Sequence, residues 1–290
     1  MLNHYYTKEI KVVLQEESCH VGITNRFKEM ARELSSVGIV TMLYSTREWN
    51  GSVLPDKDGL LWITDSALFM HKLYEQKLPR IAYFHEYNNT VDIEHADYGI
   101  EAPDDVEIGF FEKAYRRYRL IPWDILTTKR CIIRETIPDD VDAFYEIYQE
   151  PSIKKHLEAL YPHKEAEKAY VRHYIETIYP FYGYGMWTVL TLEGDIIGRI
   201  GYSHRNGFEE PELGFVIAPA YQHQGIGEEV TRAVLSYGVR ELGFSAIRAI
   251  VDPLNTRSLR LCCKLGFSAK DFIDLNSKRY MRMIYMPTPE

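Results

Sequence analysis

Residues 222–230 read Gln222-His223-Gln224-Gly225-Ile226-Gly227-Glu228-Glu229-Val230, a glycine-spaced loop between an apolar, strand-like run and an amphipathic, helix-like one. Two glycines two apart let backbone amides turn to one side with no Cβ in the way. The helix behind them adds unpaired N–H groups and the positive end of its dipole. Such a loop suits a diphosphate, although the same spacing also describes a tight strand-to-helix turn. Two nucleotide motifs are excluded: Val230 stands at the third glycine position of G-x-G-x-x-G, and no Gly-Lys-Ser/Thr follows to make a P-loop.

Three acids precede the loop. Glu209, Glu210 and Glu212 could accept protons or simply face water. His223 reads as a solvated loop residue, and His156, His163 and His173 have no histidine partner at i,i+4, so no metal centre is expected. The four cysteines, Cys19, Cys131, Cys262 and Cys263, lack C-x-x-C spacing, which argues against a zinc or redox site.

Beyond the loop, a strand-like run leads to Asp252-Pro253-Leu254-Asn255-Thr256-Arg257-Ser258 and closes on Lys264-Leu265-Gly266-Phe267. The ordered set Q-x-x-G-x-G, N-x-x-S and K-L-G-F resembles the GNAT superfamily of N-acetyltransferases, and most of all its RimJ/RimL-like branch, over about residues 130–286. The resemblance implies acetyl-CoA as cosubstrate, with its pyrophosphate on the amides of Gln224, Gly225, Ile226, Gly227, Glu228 and Glu229. The pantetheine arm would then pair like an added strand against Phe215, Val216 and Ile217. Gln222 matches the position flanking the phosphates, and Asn255, followed by Ser258, matches an asparagine near the pantetheine or phosphate. Asn255 also reads as a helix N-cap. Each charge-assisted amide contact contributes roughly 1.5 to 3 kcal/mol, so a few hold such a ligand without a lysine clamp.

The implied chemistry is direct attack of a primary amine, on a peptide N-terminus or a small molecule, in a ternary complex. A lysine amine of pKa ~10.4 is neutral at pH 7 in about one molecule in 2,500, an α-amine near ~7.8 in about one in seven, so a base matters most for lysine. Glu212 is the first candidate base, at the start of the strand before the loop, with Glu210 and Glu209 as alternates. A backbone N–H near Val216 or Ile217 would face the oxyanion. Many family members place a tyrosine seven residues after the helix-opening asparagine as acid for the thiolate; here Cys262 stands there and reads as a small buried residue. Tyr170, Tyr174 and Tyr182 fall in the segment that would wall the acceptor cleft, or else are core and surface aromatics. The rival reading is a catalytically lapsed CoA-binding sensor controlling the other half of the chain.

These residues need elements to hold them. Residues 131–135 suggest a strand and residues from Pro138 a helix with acids in its first turn. A second helix covers 164–179, a hairpin 187–202, a strand 212–217, a helix 226–242 and a strand 246–251. This is a mixed, mostly antiparallel α+β module, expected over 129–290. Residues 1–128 instead alternate strands at 12–14, 39–44, 60–63 and 80–84 with helices at 25–35, 66–76 and 106–118, which implies a smaller parallel α/β domain. That half resembles a degenerate Rossmann-type or dehalogenase-like domain without the Asp-x-Asp of the phosphatases. There Asp65 or Ser66 caps a helix, or Asp65 serves a phosphatase-like site.

Composition sets the outer limits. The chain has 290 residues, 46% hydrophobic and 26% charged, with a net charge of -8, which is globular and lacks the basic footprint of a nucleic-acid binder. No apolar run is long enough for a membrane span, and the N-terminus has no apolar leader core, so a reduced cytoplasm is the expected location.

Overall fold

The computed structural model describes residues 5–49, 53–86, 88, 93–276 and 278–287. The chain divides into two compact units, Met1–Trp123 and Asp124–Glu290. The division lies ahead of the expected 128 because residues 124–127 are not a linker. They form a strand that pairs antiparallel with the next one, Asp124 opposite Arg134 and Thr127 opposite Ile132.

In the first unit β1 (Glu9–Leu14), α1 (Val21–Ser36), β2 (Val40–Ser45), β3 (Leu60–Thr64), α2 (Ala67–Glu75), β4 (Arg80–Tyr83), β5 (Gly99–Ile100) and α3 (Ile108–Tyr118) alternate as the sequence pattern requires. The sheet is parallel with order β2-β1-β3-β4-β5, a doubly wound arrangement. Its central β3 is buried at all five positions, which is why Leu60-Leu61-Trp62-Ile63 shows no polar alternation. Ser66, not Asp65, caps α2, accepting the Phe69 N–H at 3.3 Å. Asp65 is fully buried, accepts the Gln15 N–H at 2.8 Å and lies 3.1 Å from His85 Nε2, tying together the chain ends that follow β1, β3 and β4.

The second unit is built from β6 (Asp124–Thr127), β7 (Cys131–Glu135), α4 (Val141–Gln149), α5 (Pro151–Lys154), α6 (Lys164–Tyr182), β8 (Met186–Thr191), β9 (Ile196–Ser203), β10 (Glu212–Ile217), α7 (Ile226–Arg240), β11 (Ile247–Val251), α8 (Thr256–Lys264), β12 (Ser268–Leu275) and β13 (Lys278–Tyr285). The eight strands lie in the order β12-β13-β11-β10-β9-β8-β7-β6, all antiparallel except β10 with β11. Helix α6 runs past 179, through Pro180, to Tyr182, where Gly183, at φ 74°, supplies the left-handed stop. Alternate residues of β10 serve opposite faces. Leu213 and Ile217 join Val230, Val234 and Ile247 in the main core, whereas Val216 packs on Ile147 and Ile153. Among the described residues no helix is long and apolar enough to cross a membrane.

Candidate functional site

Strands β10 and β11 meet at one residue pair, Glu212 opposite Arg248, and then part. On its other side β10 is paired with β9 along its whole length, from Glu212 opposite Ser203 to Ile217 opposite Gly198. The β11-facing edge of β10 after Glu212 therefore carries backbone donors and acceptors outside any ladder, the kind of edge that an extended amide-bearing ligand completes. A cleft of about 690 Å³ opens there. Phe215, Val216 and Ile217 form one wall; Asn255, Arg257 and Ser258 at the start of α8 form the other.

The mouth of the cleft is the N-terminus of α7. Gly225 is its N-cap at φ 79°, a left-handed conformation that a Cβ would strain, and among the described residues no side chain caps the helix. The amides of Ile226, Gly227 and Glu228 precede the first intrahelical bond, which the Glu229 N–H makes to the Gly225 carbonyl at 3.0 Å. Gly227 has no such conformational excuse. Among the described residues a Cβ built there meets nothing nearer than Leu261 Cδ2 at 3.8 Å, so the protein itself leaves room for a side chain, and the bare position opens onto the cleft. Lys155, Arg257 and Arg260 line the cleft against one acid, Glu228, whose carboxyl is held below its usual range by hydrogen bonds from Lys264 and then Arg232. Uncapped amides, a bare glycine and an excess of cations fit a diphosphate.

Not every residue of the loop reaches the cleft. Gln222 does, but as a strut: its Nε2 donates to the Ile217 carbonyl at 2.7 Å and its Oε1 accepts from Arg257 Nη1 at 3.2 Å. Gln224 turns back to the Ala220 carbonyl at 2.9 Å. Ile226 is buried in the core, and Glu229 is engaged by the Arg130 N–H at 2.9 Å and Nε at 2.7 Å, on the far side of the helix start. Asn255 lines the cleft while its Oδ1 accepts the Ser258 N–H at 3.1 Å, so the helix cap and the cleft wall are one residue.

The acids expected to act as base lie elsewhere. Glu212 sits where the two strands still touch, its Oε2 3.1 Å from Arg205 Nε and 3.3 Å from Arg248 Nη2, and Glu210 faces Arg248 at 3.9 Å. Neither lines the cleft. Cys262 is wholly buried in the core, and burial pushes its thiol up to about 12, which removes it as a proton donor to the cleft. Tyr174 accepts the Met186 N–H through its hydroxyl at 3.0 Å and adjoins Tyr170 at 5.8 Å between ring centroids; Tyr182 stacks on His204 at 4.4 Å. None of the three lines the cleft.

One pair went unforeseen. His156, which follows α5, lines the cleft, and its Nδ1 lies 2.9 Å from Asp252 Oδ2. Burial alone would raise the Asp252 carboxyl; hydrogen bonds from Lys278, His156 and the Leu254 N–H outweigh it and hold the group well below the usual carboxylate range. Asp252 is thus ionised, Nδ1 donates to it, and Nε2 is the ring nitrogen left for proton transfer. The partners are 96 residues apart, and no local pattern signals the contact.

The family model for the acetyltransferase (GNAT) domain matches residues 130–268. YoaA of Bacillus subtilis strain 168, an uncharacterized N-acetyltransferase, is 30% identical over 152 residues, spanning 49% of this chain and 82% of that protein. This chain belongs to the GNAT acetyltransferase family. YnaD of the same organism, also an uncharacterized N-acetyltransferase, is 29% identical over 148 residues, covering 51% of this chain and 84% of YnaD. An acetyltransferase structure from Agrobacterium tumefaciens strain C58 aligns at a TM-score of 0.49 and 20% identity over 56% of this chain and 94% of its own. The GNAT match lies within the second unit and leaves the first outside it.

Proposed function

We propose that the second unit binds acetyl-CoA in the cleft between β10 and β11 and transfers the acetyl group directly to a primary amine in a ternary complex. The observation that carries this reading is the parting of β10 from β11 after a single residue pair, with the uncapped start of α7 at the open end. Acetyl-CoA supplies an activated acyl carbon and a thiol leaving group. The chain supplies the rest. The amides of Ile226, Gly227 and Glu228 hold the diphosphate, Arg257 and Arg260 add charge, and the open edge of β10 at Phe215, Val216 and Ile217 aligns the extended arm. A β10 N–H near Val216 or Ile217 stabilises the oxyanion.

Proton transfer falls to His156. Its Nε2 takes the proton that the amine loses and returns one to the sulfur, so the net change is an N–C bond made, a C–S bond broken and one proton moved from nitrogen to sulfur. Asp252 fixes the tautomer and steadies the imidazolium. This assignment fills the place left by the buried Cys262 and relieves Glu212, which remains the competing base, acting through water from between its two arginines.

Mass spectrometry of the purified protein for co-bound CoA, followed by acetylation assays on a panel of amines, tests the reading. Bound CoA with an acetylated acceptor is expected. Bound CoA with no acetyl transfer to any amine would return the sensor reading, and no CoA binding would end both.

A further inference from the structure

Arg134, Thr188, Arg199 and Val216 stand opposite one another on β7, β8, β9 and β10, so their side chains share one face of the second sheet. The two arginines in this row are treated differently. Arg134 holds Asp140 through both terminal nitrogens at 2.7 Å. Arg199 lies over the Phe144 ring with its guanidinium carbon 4.6 Å from the centroid, and its Nε is shut off from solvent without a hydrogen bond. Among the described residues no carboxylate pairs with it. Glu167, whose field reaches Arg199, is instead occupied by the Tyr161 N–H at 3.0 Å.

A guanidinium cannot shed its charge, and one stripped of much of its water with only an aromatic face in return is an incomplete ion pair. Part of the Arg199 side chain stays open to solvent. Tyr170 and Tyr174 stand within its field: burial raises both phenols, Tyr174 to about 12, and Arg199 pulls each back. The place is specific. Val216, directly opposite Arg199 at about 5 Å between Cα atoms, lines the cleft. A ligand whose amine lies at the cleft can therefore set an anionic group a few bonds away on Arg199.

We propose that the acceptor amine carries a carboxylate and that Arg199 pairs with it, so that the substrate is an amino acid or an acidic peptide and not a polyamine. The proposal rests on the acetyl-transfer reading above. A planar carboxylate meets the guanidinium fork through two parallel hydrogen bonds and completes the pair that the fold leaves open. A polyamine or lysine side chain would bring a second cation to the same spot.

The test uses the full chain. Acetyl-CoA binding is measured by calorimetry, and kcat/KM is compared for free L-amino acids and their carboxamides, for peptides with Asp or Glu against Asn or Gln in the first three positions, and for spermidine. Wild type should favour the carboxylate member of a pair by at least about 100-fold. Preference among the free amino acids names the α-carboxylate as the source; preference confined to the peptides names a side chain. Arg199→Met should bring the ratio near one while its melting temperature holds or rises, because an unpaired charge has been removed; Arg199→Lys should recover part of the preference. Equal rates on carboxylates and carboxamides, preference for spermidine, or an Arg199→Met variant that keeps the wild-type ratio would each overturn the assignment. Acetyl-CoA bound with nothing acetylated overturns it as well, whereas failure to bind acetyl-CoA removes the acetyl-transfer reading beneath it.

Discussion

Gly227 sets stability against binding. It occupies the first turn of α7 with no neighbour closer than 3.8 Å to a prospective Cβ, so Gly227→Ala should stabilise the protein by roughly 0.5–1 kcal/mol through the helix backbone. The same methyl enters the cleft, and CoA affinity should fall at least about tenfold, a loss of about 1.4 kcal/mol. Melting curves and calorimetric titration with CoA read the two effects; a variant that binds CoA as tightly as wild type would remove the diphosphate from this corner. His156 calls for a different measurement. His156→Gln should lower kcat by roughly 10²- to 10⁴-fold, while CoA binding stays within a few-fold. If Glu212→Gln produces that loss of kcat and His156→Gln does not, the base is Glu212. Asp252 adds a stability signature. Its folded carboxyl lies below the unfolded value of about 3.9, so its contribution is present above that pH and is lost as pH falls through the folded value. The melting gap between wild type and Asp252→Asn should accordingly narrow as pH drops below about 4.

At α8 one side chain does two jobs that can be pulled apart. Asn255 caps the helix and lines the cleft. Asn255→Ala should cost about 1 kcal/mol of stability together with CoA affinity. Asn255→Asp keeps the cap and adds a negative charge beside an anionic ligand, so stability should hold while affinity falls; an Asn255→Asp variant that binds CoA as tightly as wild type would mean that only the cap matters. The opening of β10 from β11 depends on a strut of the same kind, since Gln222 ties the Ile217 carbonyl to Arg257 across the cleft mouth.

Each of the two units has its own buried core, Ile10, Phe27, Ile63 and Phe111 among the residues of one, Trp187, Ile200, Val234 and Ile247 among those of the other. A ligand held by the second unit alone stabilises that unit by mass action, about 2.7 kcal/mol at a concentration one hundred times its Kd. Calorimetry should therefore resolve two unfolding transitions, of which CoA raises one. A single transition that moves as a whole with CoA would show the two cores to be energetically one.

Strands with strong apolar runs and helices with a clear polar face, from Leu60-Leu61-Trp62-Ile63 to the α7 segment, were legible because burial writes a period into local sequence. The glycine loop ahead of α7 was legible for a related reason: glycine spacing and a following helix act over a few residues. β6 and β12 left no such trace. They lie at the two edges of the sheet, β12 is mostly exposed, and neither shows the apolar alternation of an inner strand. Charge partners were the least readable. Glu212 meets Arg205 and Arg248, His156 meets Asp252, and Arg199 pairs with no carboxylate among the described residues, each outcome set by how distant elements pack and by which face a residue occupies. Composition and spacing choose which groups exist; only packing over long sequence separations decides whether a charge is matched, buried or left for a ligand.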